Sequence, residues 1–403
     1  MKGIRLLRIA VVFTCLGLLL FGAGGSSAVI AAGPDVWTQS GPSGFGDINN
    51  QAVSAVQMFN GKLYAGTINW AAGGSVWSSP DAKTWTQVIA PGVISKPNVN
   101  VAILGMAVFN NKLYISTGWG SDYGGQLWSY DGTNAPSLVL NNQNMNGFTV
   151  FAAYKGKLYL GTTVLRYATP GASIYEMAPD GTWRAVVTNG LSSRNSYAVT
   201  GFAVFNNVLY AAVANDVEGA EIWSFDGILW RTVVSGGFGD VKIQDMGGMA
   251  VFNNELYVGA RHGSLMEPVS TSTGGRLFKT ANGANWTPVI TNGFGNANNI
   301  KIEGVFPFAG RLFATTTNPT TGMEVWTSWD GASWSQAATN GFGNAFNLNT
   351  LWNNSIFTIG TQIYIGTFNM NPQSGQSVTG GQIWTYDPPA FVIHQQLLPY
   401  ITQ

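Results

Sequence analysis

The strongest constraint on the fold is a six-residue phrase that recurs along the chain. It reads Phe59-Asn60-Gly61-Lys62-Leu63-Tyr64, then Phe109-Asn110-Asn111-Lys112-Leu113-Tyr114, then Tyr154-Lys155-Gly156-Lys157-Leu158-Tyr159. It returns at Phe205–Tyr210 and Phe252–Tyr257, and fades at Phe308–Phe313 and Ile359–Tyr364, giving seven copies. From Leu63 onward the spacings are 50, 45, 51, 47, 56 and 51 residues. A period in this range restricts the chain to a propeller, a solenoid or an array.

Each repeat reads as four strands. An apolar strand such as Gly105-Met106-Ala107-Val108-Phe109 runs into an Asn-Gly or Asn-Asn pair, which suits a type I′ hairpin. A Leu-Tyr strand follows, then a long variable loop and a strand centred on an aromatic residue (Trp77, Trp128, Tyr175, Trp223, Phe278, Trp326, Trp384). A short turn then leads to a strand usually opened by Trp. Four antiparallel strands per ~50 residues make a propeller blade. The last repeat stops at Trp384-Thr385-Tyr386 and lacks the fourth strand, whereas the phrase Trp37-Thr38-Gln39 stands alone near the N-terminus. The expected fold is therefore an all-β, seven-bladed propeller of four-stranded antiparallel blades. The strand near Trp37 closes the ring and removes the open edge.

Residues 1–32 read as a secretory signal. Lys2, Arg5 and Arg8 precede an apolar run from Ile9 to Phe21, and cleavage after Ala31 or Ala32 is expected. The run is shorter than the ~20 residues of a membrane span, so an uncleaved anchor is the lesser alternative. The propeller is assigned to 33–388, and 389–403 to an apolar tail that packs on the ring or serves as a sorting signal. Without the signal the chain keeps 16 basic against 19 acidic side chains, with no basic stripe for nucleic acid. Cys15 lies in the apolar run and is the only cysteine, and His262 and His394 are the only histidines. Disulfides and a His/Cys zinc site are thus excluded from the mature chain.

The turn between strands three and four resembles the Asp-box of sialidase-like propellers. Ser79-x-Asp81-x-x-x-Trp85, Ser224-x-Asp226-x-x-x-Trp230, Thr280-x-Asn282-x-x-x-Trp286 and Ser328-x-Asp330-x-x-x-Trp334 share the frame, one residue shorter than usual. The aromatic strand and Asp turn, as in Trp128-Ser129-Tyr130-Asp131-Gly132, are also similar to kelch repeats, although the kelch diglycine is missing. Both resemblances imply a propeller and no activity. Sialidase chemistry needs an arginine triad and a Tyr–Glu pair. Only Arg166, Arg194 and Arg261 stand in suitable loops, and no matching Tyr–Glu pair is present.

Binding residues are expected on the face that carries the long loops. The candidates are Trp70, Trp119, Asp122, Tyr123, Arg166, Tyr167, Asp216, Glu218, Arg261 and His262. Indole rings beside amides and carboxylates suit a sugar; the competing reading is that Trp70 and Trp119 cover loop edges or plug the channel mouth. Asp216, Glu218, Glu267 and Glu303 are the carboxylates open to a two-carboxylate glycosidase, and Arg261 with His262 to a lyase. The loops Gly44-Phe45-Gly46-Asp47, Gly237-Phe238-Gly239-Asp240, Gly293-Phe294-Gly295-Asn296 and Gly341-Phe342-Gly343-Asn344 read as structural turns, with Asp47 and Asp240 as weak calcium candidates. No other cofactor is expected. The main expectation is an exported bacterial monomer, secreted or on the cell surface. It would be a non-catalytic propeller that binds a carbohydrate or an envelope or partner protein, with no nucleic acid and no membrane span after signal cleavage. The alternatives are a glycan-active enzyme, glycosidase or lyase, on the same face, and a structural envelope protein.

Overall fold

A computed structural model describes residues 35–95, 100–120, 124–164, 171–178, 180–263, 272–349 and 354–386. The expected signal and the C-terminal tail lie outside these residues. The chain forms a β-propeller. Blade 1 is Ala52–Phe59, Lys62–Ile68, Val76–Ser79 and Thr86–Ile89, each strand antiparallel to the next. Blades 2, 3 and 4 begin with the inner strands Ala102–Phe109, Gly147–Tyr154 and Ser196–Phe205. Blade 5 is Ile243–Phe252, Glu255–His262, Arg276–Thr280 and Thr287–Ile290. Blade 6 is Lys301–Phe308, Arg311–Thr317, Val325–Ser328 and Ser335–Ala338. In blade 7 the segments Asn347–Asn349 and Ile356–Ile359 both pair with Gln362–Asn369, which pairs with Ile383–Tyr386.

The fourth strand of blade 7 is Trp37–Gln39, in the register Trp37 to Tyr386, Thr38 to Thr385 and Gln39 to Trp384. Its indole donates from Nε1 to the Ala337 carbonyl at 3.1 Å. Arg311 is buried here, with Nη1 3.3 Å from Asp35 Oδ1. The Tyr386 hydroxyl donates to the same oxygen at 2.6 Å and accepts from Arg311. The guanidinium also lies 4.8 Å from the Phe313 ring.

Local chemistry explains the repeat. The hairpin pairs adopt positive φ, at Asn60 (48°) with Gly61 (72°) and at Asn253 (48°) with Asn254 (58°), as the twisted two-residue turn requires. The glycine after Leu-Tyr-x in strand two is set by close approach between blades. A Cβ on Gly66 would lie 2.4 Å from Ile103 Cγ2, and one on Gly259 would lie 2.3 Å from the Ile302 carbonyl oxygen. The Asp turns hold themselves: Asp81 Oδ1 accepts from the Lys83 and Thr84 amides at 2.8 and 2.7 Å, and Asp226, Asn282 and Asp330 repeat this. The Gly-Phe loops place Phe at positive φ and stack its ring on the strand-three aromatic that follows. The centroids are 4.8 Å apart for Phe45 on Trp77, 3.9 Å for Phe238 on Phe278 and 4.6 Å for Phe294 on Trp326. Strand three fixes its own indole, with Trp77, Trp326 and Trp384 donating to Ser75, Glu324 and Gln382 two residues earlier.

Inner strands carry a bulge near the long-loop end, at Ser54, Leu104, Thr149, Thr200 and Glu303. The Ser54 and Thr149 hydroxyls use it to donate to Ile103 and Val199 of the next blade, both at 2.6 Å. Around the channel, the Asn354 amide donates to the Leu104 and Thr149 carbonyls, and its own carbonyl accepts from Val56. These bonds tie the first three blades to the seventh.

Candidate functional site

Neighbouring blades touch at their long-loop ends through one bridging pair of residues. At four junctions these pairs are Phe368 with Ala52, Ile68 with Ala102, Thr163 with Ala198, and Arg261 with Lys301. The first three are uncharged and small or apolar. The fourth, between blades 5 and 6, pairs two cations. Asp245 is the strand partner of Arg261, and Glu303 occupies the bulge that holds Ser54 in blade 1 and Thr149 in blade 3. All four side chains are almost fully buried, Lys301 at 0%, Glu303 at 1%, Arg261 at 3% and Asp245 at 4% exposure.

Lys301 Nζ sits 2.8 Å from Asp245 Oδ2 and 3.0 Å from Glu303 Oε1, and Arg261 Nε is 3.8 Å from Asp245 Oδ2. The charges cancel, but the polar atoms are not all used. Asp245 Oδ1, Arg261 Nε and the neighbouring Gln244 Oε1 are buried without a hydrogen-bond partner. Desolvating an ion costs several kcal/mol on the order-of-magnitude scale, so such a cluster is a poor way to gain stability. Buried charges kept at such a cost mark this junction as a candidate functional site.

A second feature lies on the same face, where blades 7 and 1 meet. A cavity of about 260 Å³ is lined by Asn49, Gln51, Trp70, Ala71, Gly375 and Gln376. Trp70 is half exposed, and Gln51 is 8% exposed.

The sequence candidates divide accordingly. Trp70 lines the cavity. Trp119 packs against the inner-strand cluster that contains Ala52, Ile68, Ala102 and Leu104, so its ring is taken up by packing. Asp122, Tyr123, Arg166, Tyr167 and Glu267 lie outside the described residues. Glu218 is clamped in its loop, accepting from Asn215 at 2.6 Å, Asn195 at 2.8 Å and Ser193 at 3.2 Å. Burial pushes its pKa up, but these hydrogen bonds outweigh it and the net shift is down. The Asp216 carbonyl accepts from Gln244 at 2.9 Å, which places Asp216 next to the Asp245 strand.

Arg261 and His262 are not brought together, because adjacent residues on a strand project to opposite sides. Arg261 joins the buried cluster, whereas His262 faces the Gly-Phe loop of its own blade. There Nε2 is 3.4 Å from Asp240 Oδ2, and Nδ1 accepts from the Thr273 amide at 3.3 Å. Burial, then the nearby Arg276 charge, lowers the His262 pKa, so the ring is neutral at pH 7. The calcium candidates serve their own loops. Asp240 Oδ1 accepts from the Lys242 amide, and Asp47 Oδ1 accepts from the Asn49 amide. Among the described residues no group of three or more His, Cys, Asp or Glu gathers as a metal would need, and no helix there is long and apolar enough to cross a membrane. Sequence reading missed Asp245, Lys301 and Gln51. The available signal was departure from the repeat: Asp245 and Lys301 stand where blades 1 to 4 carry Ala52, Ala102, Gly147 and Ala198.

No family model and no curated protein sequence matches the chain. Solved structures do share its fold. A prolyl endopeptidase is similar over 85% of this chain and 51% of its own, with a TM-score of 0.50 at 10% identity. A puromycin-hydrolyzing peptidase of Mycobacterium tuberculosis is similar over 84% of this chain and 53% of its own, with a TM-score of 0.51 at 10% identity. The β-propeller domain of the Trilobed protease from Pyrococcus furiosus covers 84% and 94%, with a TM-score of 0.48 at 8% identity. The chain spans about half the length of the first two. At such identities the likeness is one of fold. Those two neighbours are nevertheless enzymes, and this overturns the expectation of a non-catalytic binding propeller.

Proposed function

We propose that this propeller is a glycan-active hydrolase whose reacting groups are Asp245 and Glu303, at the junction of blades 5 and 6. The observation that carries the reading is two carboxylates held on one ammonium. Their oxygens lie 2.8 and 3.0 Å from Lys301 Nζ, which keeps them within about 6 Å of each other. Retaining glycosidases hold their carboxyl groups about 5–5.5 Å apart, and inverting ones about 6.5–9.5 Å apart. The short separation favours retention.

In that reaction Asp245 attacks the anomeric carbon through Oδ1, the oxygen that no protein donor occupies. The bond from that carbon to the leaving oxygen breaks, and the leaving oxygen takes the proton that the Lys301 ammonium passes through Glu303. Water then attacks the same carbon and passes a proton to Glu303 as the bond to Asp245 breaks. Arg261 and Lys301 both lie against the nucleophile's other oxygen, Asp245 Oδ2. A lyase that uses Arg261 and His262 together is disfavoured, because the two side chains face opposite sides of their strand. We also read the turns at Asp81, Asp226, Asn282 and Asp330 as Asp-box-like, a reading supported by their shared pattern of amide donors.

The test is release of reducing ends from a panel of polysaccharides and aryl glycosides by the wild type, Asp245→Asn and Glu303→Gln, with thermal melts alongside. The expected result is hydrolysis with retention, lost at least a hundredfold in both variants while the fold persists. No hydrolysis by the wild type, or undiminished hydrolysis by both variants, sinks the reading.

A further inference from the structure

The Asp245–Glu303 junction does not account for the cavity between blades 7 and 1, nor for the exposed indole that walls it. Its construction is specific. Asn69 Oδ1 accepts from the Ala71 and Ala72 amides at 3.0 and 2.8 Å, which fixes the turn that presents Trp70. Asn69 Nδ2 in turn donates to Asn50 and Asp47. On the opposite wall the Asn371 amide donates to the Gln376 carbonyl, and the Gly375 amide to the Asn371 carbonyl. The floor is Gln51, whose backbone bridges the two blades by donating to Ile68 and accepting from Asn369.

Gln51 is 8% exposed as a residue and lines the cavity, and its carboxamide makes no side-chain hydrogen bond among the described residues. Around it stand the Asn49 and Gln376 side chains. Among the described residues no ionisable side chain lines the cavity. The lining thus offers one flat apolar ring and several neutral groups that both donate and accept.

We propose that this cavity is a subsite for one neutral pyranose unit of a glycan, stacked on Trp70 and hydrogen-bonded through its hydroxyls to Gln51, Asn49 and Gln376. A pyranose has an apolar C–H face that suits an indole, and a rim of hydroxyls that need both donors and acceptors. Carboxamides supply both, and lysine and carboxylate do not. The absence of charge in the lining disfavours uronates and sialates, which would be desolvated there without a counter-charge. The inference rests on reading this face as glycan-active, and it names the neutral unit that the face would hold away from the reacting junction.

The experiment is calorimetric titration of the full chain, carrying Glu303→Gln so that sugars are not consumed, with cellotriose, mannotriose, xylotriose and trigalacturonate. At least one neutral trisaccharide should bind, with affinity falling tenfold or more on adding Trp70→Ala or Gln51→Ala. Trp70→Phe should recover part of the loss. Trp329→Ala, which removes another exposed indole remote from the cavity, should change nothing. Thermal melts check folding, and Gln376→Ala serves as a second exposed variant if Gln51→Ala is unstable. Failure of all neutral sugars, equal binding of trigalacturonate, or insensitivity to Trp70→Ala overturns the subsite. Wild-type hydrolysis is scored separately. Its absence beside Trp70-dependent binding overturns only the catalytic reading, and its presence without such binding overturns only the subsite.

Discussion

Replacing Lys301 by Met removes the ammonium that two buried carboxylates share. The side-chain volume is nearly kept, so the change is electrostatic. Asp245 and Glu303, at 4% and 1% exposure, would lose the ammonium they share, with Arg261 remaining 3.8 Å from Asp245. Breaking a buried pair by removing one partner costs about 3–5 kcal/mol. Replacing a whole buried cluster by apolar residues of similar volume is by contrast neutral or stabilising by about 1–4 kcal/mol. The quadruple variant Asp245→Leu, Arg261→Met, Lys301→Met, Glu303→Leu should therefore be at least as stable as the wild type, although each single change is harmful. That departure from additivity is the signature of one coupled network. Guanidinium unfolding followed by tryptophan fluorescence, extrapolated linearly to water, measures each free energy. The quadruple variant should also have no hydrolytic activity, which would show stability exchanged for function. Two results would refute the reasoning: a Lys301→Met loss under about 1 kcal/mol, or a quadruple loss near the sum of the singles.

Two further outcomes are expected. The Thr84 and Lys83 amides hold the Asp81 pKa at about 2, and the Asn134 side chain and the Asn134 and Thr133 amides do the same for Asp131. Both lie below the ordinary value of 3.8, so their contribution to stability is complete above about pH 4 and is lost as pH falls through about 2. The double variant Asp81→Asn, Asp131→Asn keeps the acceptor, as Asn282 does natively, and should show a shallower stability loss between pH 4 and pH 2. An identical pH profile counts against this account. At the ring closure, Asp35→Ala leaves the buried Arg311 without its carboxylate and should cost about 3 kcal/mol, partly recovered by adding Arg311→Met. Denaturant unfolding of the three chains decides it, and a cost that Arg311→Met deepens would show that the pairing is not the cause.

The architecture was legible because the repeat is written in backbone-determining residues. Asn60-Gly61 and Asn253-Asn254 demand a particular turn, and the stray Trp37 phrase supplies the strand missing after Trp384. The site was less legible for a geometric reason. Variable loops draw functional expectations, whereas the charged cluster lies in strand ends. Arg261 and Glu303 were noticed, but only the registers Asp245 to Arg261 and Arg261 to Lys301 reveal that they share a junction. Trp70 and Trp119 looked alike as loop indoles. Their repeat positions differ by one residue, since Trp119 stands where blade 1 has the turn-fixing Asn69. That shift turns one ring into the core cluster and leaves the other facing a cavity. Gln51 carries no sequence signal, because lining a cavity is a property of its surroundings.

The pairing of Trp37–Gln39 with Ile383–Tyr386 also governs the order in which the molecule can be made. Thr38 and Thr385 bond across 347 residues of sequence. Loop closure over such a span is among the slowest steps a chain can face. During synthesis from the N-terminus the first strand must stay unpaired until every other blade has emerged. Blades 1 to 6 take their four strands from contiguous sequence and can form as they appear, but the seventh cannot. Completion of the ring is thus a late event that reports on the whole chain, and any chain stopped before residue 383 carries a visible defect: an unpaired strand at one end and a half-made blade at the other.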